Sequence, residues 1–274
     1  MAVIKINLKS IFTLNSYMHI DARNDKICYN FFYMLQKIVI ATHKSFNPPD
    51  DDSYLPLQVG AAGRESLGFA TDDTGDNISG RNSSFCELTG LYWAWKNLDA
   101  DVMGLCHYRR YFNAPPAHIA AMLESVDCIL PKPRNYFIES TYSQYAHAHH
   151  AVDLDTTRDI IAERHPDCLA AFDATMKSTK GHRFNMLVMK RPLLDRYCAW
   201  LFDILFELEK RLDISAYSEY DRRVFGFVGE RLLDVWIRAN GIRCAELPVL
   251  HTESQHWPKK IFNFLRRKFL PRRK

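Results

Sequence analysis

The sequence has no apolar run long enough to cross a bilayer, no internal repeat and no strong excess of one charge. A membrane-spanning helix needs about 20 consecutive apolar residues, so no transmembrane segment is predicted. The net charge is only +4, and much of the excess lies in residues 259–274. A nucleic-acid-binding protein would carry a basic surface over the whole domain, so the overall charge disfavours that function.

The cysteines also lack the spacing of a metal site or a disulfide framework. The seven residues lie singly at positions 28, 86, 106, 128, 168, 198 and 244. Their number is odd and no Cys-x-x-Cys pair occurs. We therefore expect reduced thiols and a cytoplasmic protein.

Both ends of the chain differ from its middle. Residues 1–33 carry no small-residue cleavage site and are interpreted as a leader extension outside the fold. Residues 34–250 form the predicted single domain, and residues 251–274 form a basic tail. In 259–274, eight basic residues alternate with bulky apolar ones. Such a helix can lie on an anionic membrane surface, or it can dock on the protein as a solvated terminal helix.

The middle of the chain alternates between predicted strands and helices. With 274 residues and 47% apolar composition, it can bury a sizeable core. Strands are predicted at 37–42, 57–60, 102–106, 126–130, 184–189 and 243–250. Helices are predicted at 117–124, 192–212 and 219–239, with further helical structure between 135 and 180. This order indicates an α/β fold with a mostly parallel sheet flanked by helices and a helical C-terminal part.

One predicted strand ends in a cluster of side chains suited to anions. The uncharged run Val102–Cys106 is typical of a strand buried on both faces. His107, Tyr108, Arg109 and Arg110 follow it directly. Ligands bind at the carboxyl ends of strands in open α/β sheets, and adjacent guanidinium groups suit a phosphate or diphosphate. The alternative is a pair of surface arginines after an edge strand.

A polar loop at 71–83 contains a second candidate group. Asp76, Asn77 and Ser79 could bind a sugar or ribose through directional hydrogen bonds. The same residue types favour turns, so turn chemistry alone can also explain them.

The helix after this loop has a predicted start and a predicted core face. Ser84 and Glu87 fit a capping box, with Ser84 as N-cap and Glu87 at N3. The predicted core stripe consists of Leu88, Leu91, Tyr92 and Trp95. Trp93 and Lys96 fall off this stripe and are candidates to face a ligand, although a tryptophan near a core often serves packing.

Acid–base candidates come from two further segments. Glu230 follows Gly226 and Gly229, which would allow another group to approach closely, and it is the first candidate for a general base. A structural pairing with an arginine is the alternative. Asp153 is the second candidate. Its Asp-x-Asp with Asp155 follows a polar stretch rather than a buried strand.

The neighbouring histidines His147, His149 and His150 lack the spacing of a zinc site. We interpret them as a polar patch that faces substrate, with His150 as a substrate-binding residue.

The order of motifs resembles one protein family. The motifs are THK (42–44), DNISxxN (76–82), CELTxxYWxWKN (86–97), GLCHYRRYF (104–112), NMxxMK (185–190), YCxWLFDILFELEKR (197–211) and RVFGFxxERLLxVW (223–236). They resemble a bacterial family, long described as a domain of unknown function, from capsule, exopolysaccharide and O-antigen gene clusters. Its members include galactofuranosyltransferase domains. The resemblance covers about residues 37–250.

The resemblance implies a UDP-linked sugar donor, a glycan acceptor on a lipid carrier and a GT-A-like sheet. It also implies that HYRR occupies the strand end where metal-dependent relatives keep Asp-x-Asp. The family motifs carry over to His43, Lys44, Asp76, Asn77, Ser79, Asn82, Glu87, Tyr92, Trp93, Lys96, His107, Tyr108, Arg109, Arg110, Asn185, Met186, Arg223 and Glu230.

Together these inferences predict an inverting glycosyltransferase on the inner face of the cell membrane. The donor and diphosphate site is assigned to His43, Lys44, Asp76, Asn77, Ser79, His107, Tyr108, Arg109 and Arg110. Substrate binding is assigned to Asn82, Glu87, Trp93, Lys96, His150, Asn185 and Met186. Glu230 and Asp153 are the catalytic candidates. No metal ligand and no obligatory cofactor are predicted, and a divalent metal stays open. The rival function is a non-catalytic nucleotide-sugar or glycan-binding subunit of a polysaccharide assembly complex.

Overall fold

A computed structural model describes residues 34–253 in full and the backbone of two strands before them. Residues 1–13, 21–26 and 254–274 lie outside the described part, and so does the predicted basic helix of 259–274. The two early strands pair with each other in an antiparallel sheet of their own. The interpretation of residues 1–33 as a leader outside the fold stays a prediction.

The elements follow each other in the alternating order that the sequence predicts. The strands are β1 (Leu14–Ile20), β2 (Ile27–Tyr33), β3 (Gln36–Thr42), β4 (Tyr54–Gln58), β5 (Ala70–Thr71), β6 (Val102–His107), β7 (Arg110–Phe112), β8 (Cys128–Pro131), β9 (Arg134–Asn135), β10 (Lys180–Gly181), β11 (Leu187–Lys190), β12 (Cys244–Leu247) and β13 (Val249–His251). The helices are α1 (Asn82–Phe85), α2 (Leu88–Asn97), α3 (Pro116–Met122), α4 (Thr141–Ala148), α5 (Ala151–Arg164), α6 (Leu169–Lys177), α7 (Arg191–Arg211) and α8 (Val224–Asn240).

The central sheet has the order β12-β8-β11-β6-β3-β4-β5. The pairs β12/β8, β6/β3, β3/β4 and β4/β5 are parallel. Only β11 runs against its neighbours β6 and β8 within this order. β7 folds back on β6 and pairs with β13 at one end of the sheet. The predicted α/β fold with a mostly parallel sheet flanked by helices is therefore confirmed.

The sheet is covered on both faces, as the apolar runs of its strands require. Met103 and Leu105 point into the larger core under α2, α7 and α8. Val102 and Cys106 alternate with them and point into a smaller core with α3. A Cβ at Gly104 would lie 2.8 Å from Val188 Cγ2 and 2.9 Å from the Leu187 carbonyl oxygen. Glycine at this position therefore permits the close approach of β6 and β11.

One strand boundary differs from the sequence prediction in a way that affects the site. The strand predicted at 184–189 begins only at Leu187. Phe184 and Asn185 precede it with φ of 78° and 52°, a conformation that cannot continue a strand. The long helix predicted at 192–212 is confirmed as α7, and Pro192 lies in its first turn. No helix in the described residues combines the length and the apolar character of a membrane span.

Candidate active site

Two parallel neighbouring strands deliver the first group of side chains to one edge of the sheet. His43 and Lys44 follow β3 directly, and His107 is the last residue of β6. Arg110 begins β7 and pairs with His107, so the intervening residues Tyr108 and Arg109 form a tight turn. The ring centroids of His43 and Tyr108 are 5.3 Å apart, edge to face. The structure therefore brings the THK and HYRR motifs into contact.

The turn carries a concentration of positive charge. Burial lowers the pKa of His43, and the charges of Lys44, Arg109, Arg64 and Arg223 lower it further. Arg109 also forms an exposed ion pair with Glu253 at 3.4 Å. Exposed pairs of this kind contribute little to stability, so Arg109 remains able to exchange this partner for an anion.

Arg110 lies deeper than Arg109 in the same region. Its guanidinium carbon is 4.4 Å from the ring centroid of Phe184. Burial and the neighbouring charge of Arg109 lower its pKa. Its Nε is buried without a hydrogen-bond partner among the described residues. An anion held between the two guanidinium groups would relieve this repulsion.

The main chain of Phe184 links this turn to α8. The Phe184 carbonyl oxygen is 2.6 Å from His107 Nε2, and its N–H donates to Glu230 Oε1 at 2.9 Å. Burial lowers the pKa of His107, although Glu87 and Glu230 oppose this shift. A carbonyl oxygen can only accept, so His107 donates from Nε2.

Asn185 joins the two helices that flank the site. Its Nδ2 donates to Glu87 Oε1 at 2.7 Å and to the Gly226 carbonyl oxygen at 3.1 Å. A Cβ at Gly226 would lie 3.1 Å from Cys86 Sγ, and one at Gly229 would lie 2.7 Å from a methyl carbon of Leu88. The prediction that the glycines before Glu230 allow close approach of another group is confirmed.

Backbone strain is concentrated at this junction. Among the described residues, the non-glycine residues with positive φ are Cys86, Phe137, Phe184 and Asn185. All but Phe137 lie at the contact between the start of α2, the start of β11 and α8. Positive φ is costly for a residue such as Phe184 and less so for Asn185, because asparagine tolerates this conformation. A costly conformation persists where the surroundings impose it, commonly at functional sites.

Glu230 has structural partners and is partly exposed. Its Oε2 accepts from Arg231 at 2.8 Å, so the predicted alternative of an arginine partner is confirmed. Arg231 is buried and lies 5.0 Å from the ring centroid of Tyr145. Each carboxylate oxygen can accept two hydrogen bonds, so the partners that orient Glu230 leave acceptor capacity for a substrate hydroxyl.

Asp153 is not placed to act as the general base. It lies on α5 with 1% of its surface exposed, and its two oxygens accept from Tyr145 and Tyr217 at 2.8 and 2.7 Å. Asp155 bonds to Tyr142 instead. Residues i and i+2 do not face each other on a helix, so Asp153 and Asp155 cannot coordinate the same metal ion. The expectation of a catalytic Asp153 was therefore wrong.

The histidines in the last turn of α4 and directly after it likewise have structural partners. His147 Nδ1 is 2.5 Å from the buried Glu139, and His149 is buried at 3.2 Å from Asp221. His150 stacks on Tyr217 at 3.9 Å between ring centroids. None of these contacts reaches the strand ends, so the substrate-binding role of His150 gains no support. No group of three or more metal-binding side chains occurs in the described ranges.

The loop residues Asp76 and Asn77 lie at the far end of α2 from Glu87. Asp76 accepts from Tyr92 at 3.0 Å, and its carbonyl oxygen accepts from Asn97 at 2.8 Å. Asn77 bonds to Gly75 and to Ser79 within the loop. Ten residues of helix separate Glu87 from Asn97, which corresponds to about 15 Å. The turn-chemistry alternative accounts for these contacts.

Ser79 and Asn82 stabilise segments that border the site. The buried Ser79 donates to Asp72 at 2.5 Å, and Asp72 accepts the N–H groups of Gly60 and Ala61 after β4. Asn82 donates to the Cys86 carbonyl oxygen at 2.7 Å. It also fills the space beside Gly60, where a Cβ would lie 2.5 Å from it. These two residues shape the edge of the site rather than face into it.

The predictions for the start and the faces of α2 were partly wrong. Ser84 does not cap a helix, because its Oγ donates back to the Arg81 carbonyl oxygen within α1. Glu87 is the N-cap of α2 without a side-chain cap bond, so its carboxylate is free to meet Asn185. Trp93 is buried in the core and donates to Thr74 at 2.9 Å. Lys96 lies 3.7 Å from the Trp95 ring centroid.

Met186 is fully buried, on the face of the sheet opposite Glu230. A substrate cannot touch it in this structure, so its assignment as a substrate-binding residue was wrong.

A cavity of about 710 Å³ adjoins the other side of the cationic turn. Tyr108 and Tyr111 line it together with Phe46 and Tyr54. Tyr108 therefore separates an aromatic cavity from the charged side of the site. Small-molecule sites commonly combine such apolar walls with a few polar groups.

Two comparisons with known proteins bear on the family and the fold. A family described as "Domain of unknown function (DUF4422)" matches residues 37–241. The chain belongs to the DUF4422 family. A solved structure entitled "WbbM bifunctional glycosytransferase apo structure" has a similar fold, with a TM-score of 0.74 and 27% sequence identity. The similarity covers 80% of this chain and 46% of the WbbM chain, so this chain spans about half of that protein. No curated protein matches.

Sequence reasoning missed several residues of this DUF4422 site. Arg64, Cys86, Phe184 and Arg231 were not assigned. Arg223, which lies 3.1 Å from Cys86 Sγ, was carried over from the resemblance without a role. Cys86 and Arg231 lie inside quoted motifs, and Phe184 directly precedes the NMxxMK motif, so these three had a sequence signal. Arg64 lies outside every motif.

The buried His107 predicts a pH effect on stability. In the unfolded chain its pKa is about 6.5, and the fold lowers it. Below that pH the unfolded state binds a proton that the folded state does not, so His107 loses its stabilising effect as pH falls. The free energy of unfolding of the wild type, minus that of His107→Gln, should decrease between pH 7.5 and 5.5. Urea titrations measure it. A difference that grows toward low pH would contradict the neutral His107.

Proposed function

We propose that the protein is a glycosyltransferase that moves a sugar from a UDP-sugar to a glycan acceptor in surface polysaccharide synthesis. The observation that carries the proposal is the cationic turn at the ends of β3 and β6, opposite Glu230. Similarity to a glycosyltransferase structure and membership of the DUF4422 family support it. The use of HYRRYF as a mark of this activity stays a prediction.

The sugar donor binds through its diphosphate at the cationic turn. Arg109 and Arg110 bind the diphosphate, and His43 and Lys44 add positive potential at its side. When the bond between the sugar and the phosphate breaks, negative charge grows on the leaving diphosphate. Preorganised cations stabilise that charge, so these residues supply the role that a metal ion has in other transferases.

The acceptor is activated by a carboxylate on α8. An acceptor hydroxyl oxygen attacks the anomeric carbon as the bond to the diphosphate oxygen breaks. Glu230 receives the hydroxyl proton and UDP leaves, so the configuration at the anomeric carbon is inverted. The Phe184 N–H and Arg231 hold the Glu230 carboxylate in place during this step. Glu87, fixed by Asn185, is the other carboxylate near the transferred sugar.

The donor sugar and the acceptor are inferred from the family resemblance. Galactofuranose is the first donor sugar to test, because the resembling family includes galactofuranosyltransferase domains. The acceptor is a lipid-linked glycan of capsule or O-antigen synthesis, and the enzyme works at the inner face of the membrane. A thermal-shift panel of nucleotide sugars identifies the donor, because a ligand that binds only the folded state raises the melting temperature.

Replacement of both turn arginines tests the diphosphate site. Arg109→Ala/Arg110→Ala should abolish the thermal shift by UDP and lower sugar transfer by at least about 10²-fold, the usual loss for one preorganised donor. Arg196→Ala/Arg238→Ala is the control, because it removes equal charge from exposed positions on α7 and α8.

Wild-type transfer by the turn variant would contradict the assignment. Loss of wild-type activity with a chelator would contradict the metal-free mechanism. Tight UDP-sugar binding without any release of UDP would favour the non-catalytic binding subunit.

Replacement of Glu230 tests the base separately from donor binding. Glu230→Gln keeps an oxygen for the Phe184 N–H and should retain the thermal shift by UDP. Without an acceptor for the hydroxyl proton, the transfer rate should fall about 10²- to 10⁴-fold. The measurement is single-turnover transfer with saturating donor. A rate within a factor of three of wild type would assign the base to another group.

A further inference from the structure

The segment between β8 and α4 forms a projecting loop at the same edge of the sheet as the candidate active site. β9 in this loop pairs with β10, which follows α6. Arg183 Nε donates to the hydroxyl of Tyr136 at 2.8 Å, and Arg183 directly precedes Phe184. The loop is therefore fastened to the segment that holds Glu230.

The tip of this loop is apolar and exposed. Phe137 has 80% of its surface exposed, the largest fraction among the large hydrophobic residues of the described chain, and Ile138 has 53%. Phe137 has a φ of 56°, and its N–H donates to Asn135 Oδ1 at 2.9 Å. The Ile138 N–H donates to the Tyr136 carbonyl oxygen at 2.6 Å. Local bonds thus hold the tip in a strained shape that presents both side chains outward.

Cations flank the tip without matching acids. Lys132, Arg134 and Lys180 are exposed, and none forms an ion pair with another residue that the structure describes. The acid nearest in sequence, Glu139, is buried and bonded to His147. An apolar tip bordered by uncompensated cations matches the interface of an anionic bilayer, with acyl chains beneath negatively charged headgroups.

We propose that Phe137 and Ile138 insert into the interface of an anionic lipid bilayer while Lys132, Arg134 and Lys180 contact the headgroup phosphates. Insertion of this loop would orient the edge of the sheet that carries the candidate active site toward the membrane. The proposal concerns residues inside the folded domain and does not depend on the basic tail. It also does not rest on the proposed transfer reaction.

A second copy of the chain fits this surface less well. A two-fold contact through the tip would place the same three cations of both copies against each other. Like charges across an interface are repulsive, whereas anionic lipid neutralises them.

Vesicle flotation of the full chain tests the proposal. The vesicles contain phosphatidylglycerol and phosphatidylcholine, or phosphatidylcholine alone. Phe137→Asn/Ile138→Ser should bind the anionic vesicles at least tenfold more weakly than wild type, and asparagine tolerates the positive φ at 137. Arg134→Gln/Lys180→Gln should also bind more weakly. Val152→Ser is the control, because Val152 is 49% exposed on α5 and away from the loop.

Equal flotation of the tip variant and the wild type would overturn the proposal, because the tail is present in both. If the wild type bound vesicles of phosphatidylcholine alone as well as it binds anionic vesicles, the cations would not contribute to binding. That result would also overturn the proposal. A wild-type dimer that the tip substitutions dissociate, without vesicle binding, would assign the surface to a second copy of the chain. Retained melting temperatures of the variants show that they fold.

Discussion

The main chain of Phe184 holds the candidate site together. Its carbonyl oxygen accepts from His107 at the end of β6, and its N–H donates to Glu230 on α8. One residue therefore links the strand that leads into the arginine turn to the helix that carries the candidate base. Because Phe184 and Asn185 both have positive φ, the bonds to His107, Glu230 and Glu87 must stabilise a backbone that would otherwise relax.

The sheet topology and the glycines of α8 bring the charged residues to this junction. Parallel β3 and β6 bring His43 and Arg109 to one edge, and the reversal into β7 turns Arg110 toward Phe184. Glycines on α8 let that helix approach Cys86 and Leu88 closely enough for Glu230 to reach the edge. Arg110 lies close enough to Glu87 and Glu230 for their charges to oppose the lowering of its pKa. Cations beside oriented carboxylates suit the binding of an anionic leaving group next to a proton acceptor.

Local patterns predicted most of the fold but only part of the site. Uncharged β-branched runs and the stripe of α7 identified the sheet and its longest helix, because burial requires those patterns. The strand end at His107 followed from the same reasoning. Trp93 and Asp153 were misassigned, because their surroundings depend on packing between distant segments. Tyr145 and Tyr217, for example, reach Asp153 from α4 and from the loop after α7. The roles of Phe184 and Cys86 arise from backbone conformations that no sequence pattern indicated.

A crystal structure of the protein with UDP tests most directly whether the arginine turn is the diphosphate site. Diphosphate oxygens should lie within hydrogen-bonding distance, about 2.7–3.2 Å, of guanidinium nitrogens of Arg109 and Arg110. The uridine should then extend away from Glu230. A diphosphate bound elsewhere, such as in the cavity between Arg158 and Lys177, would contradict the assignment of the arginine turn.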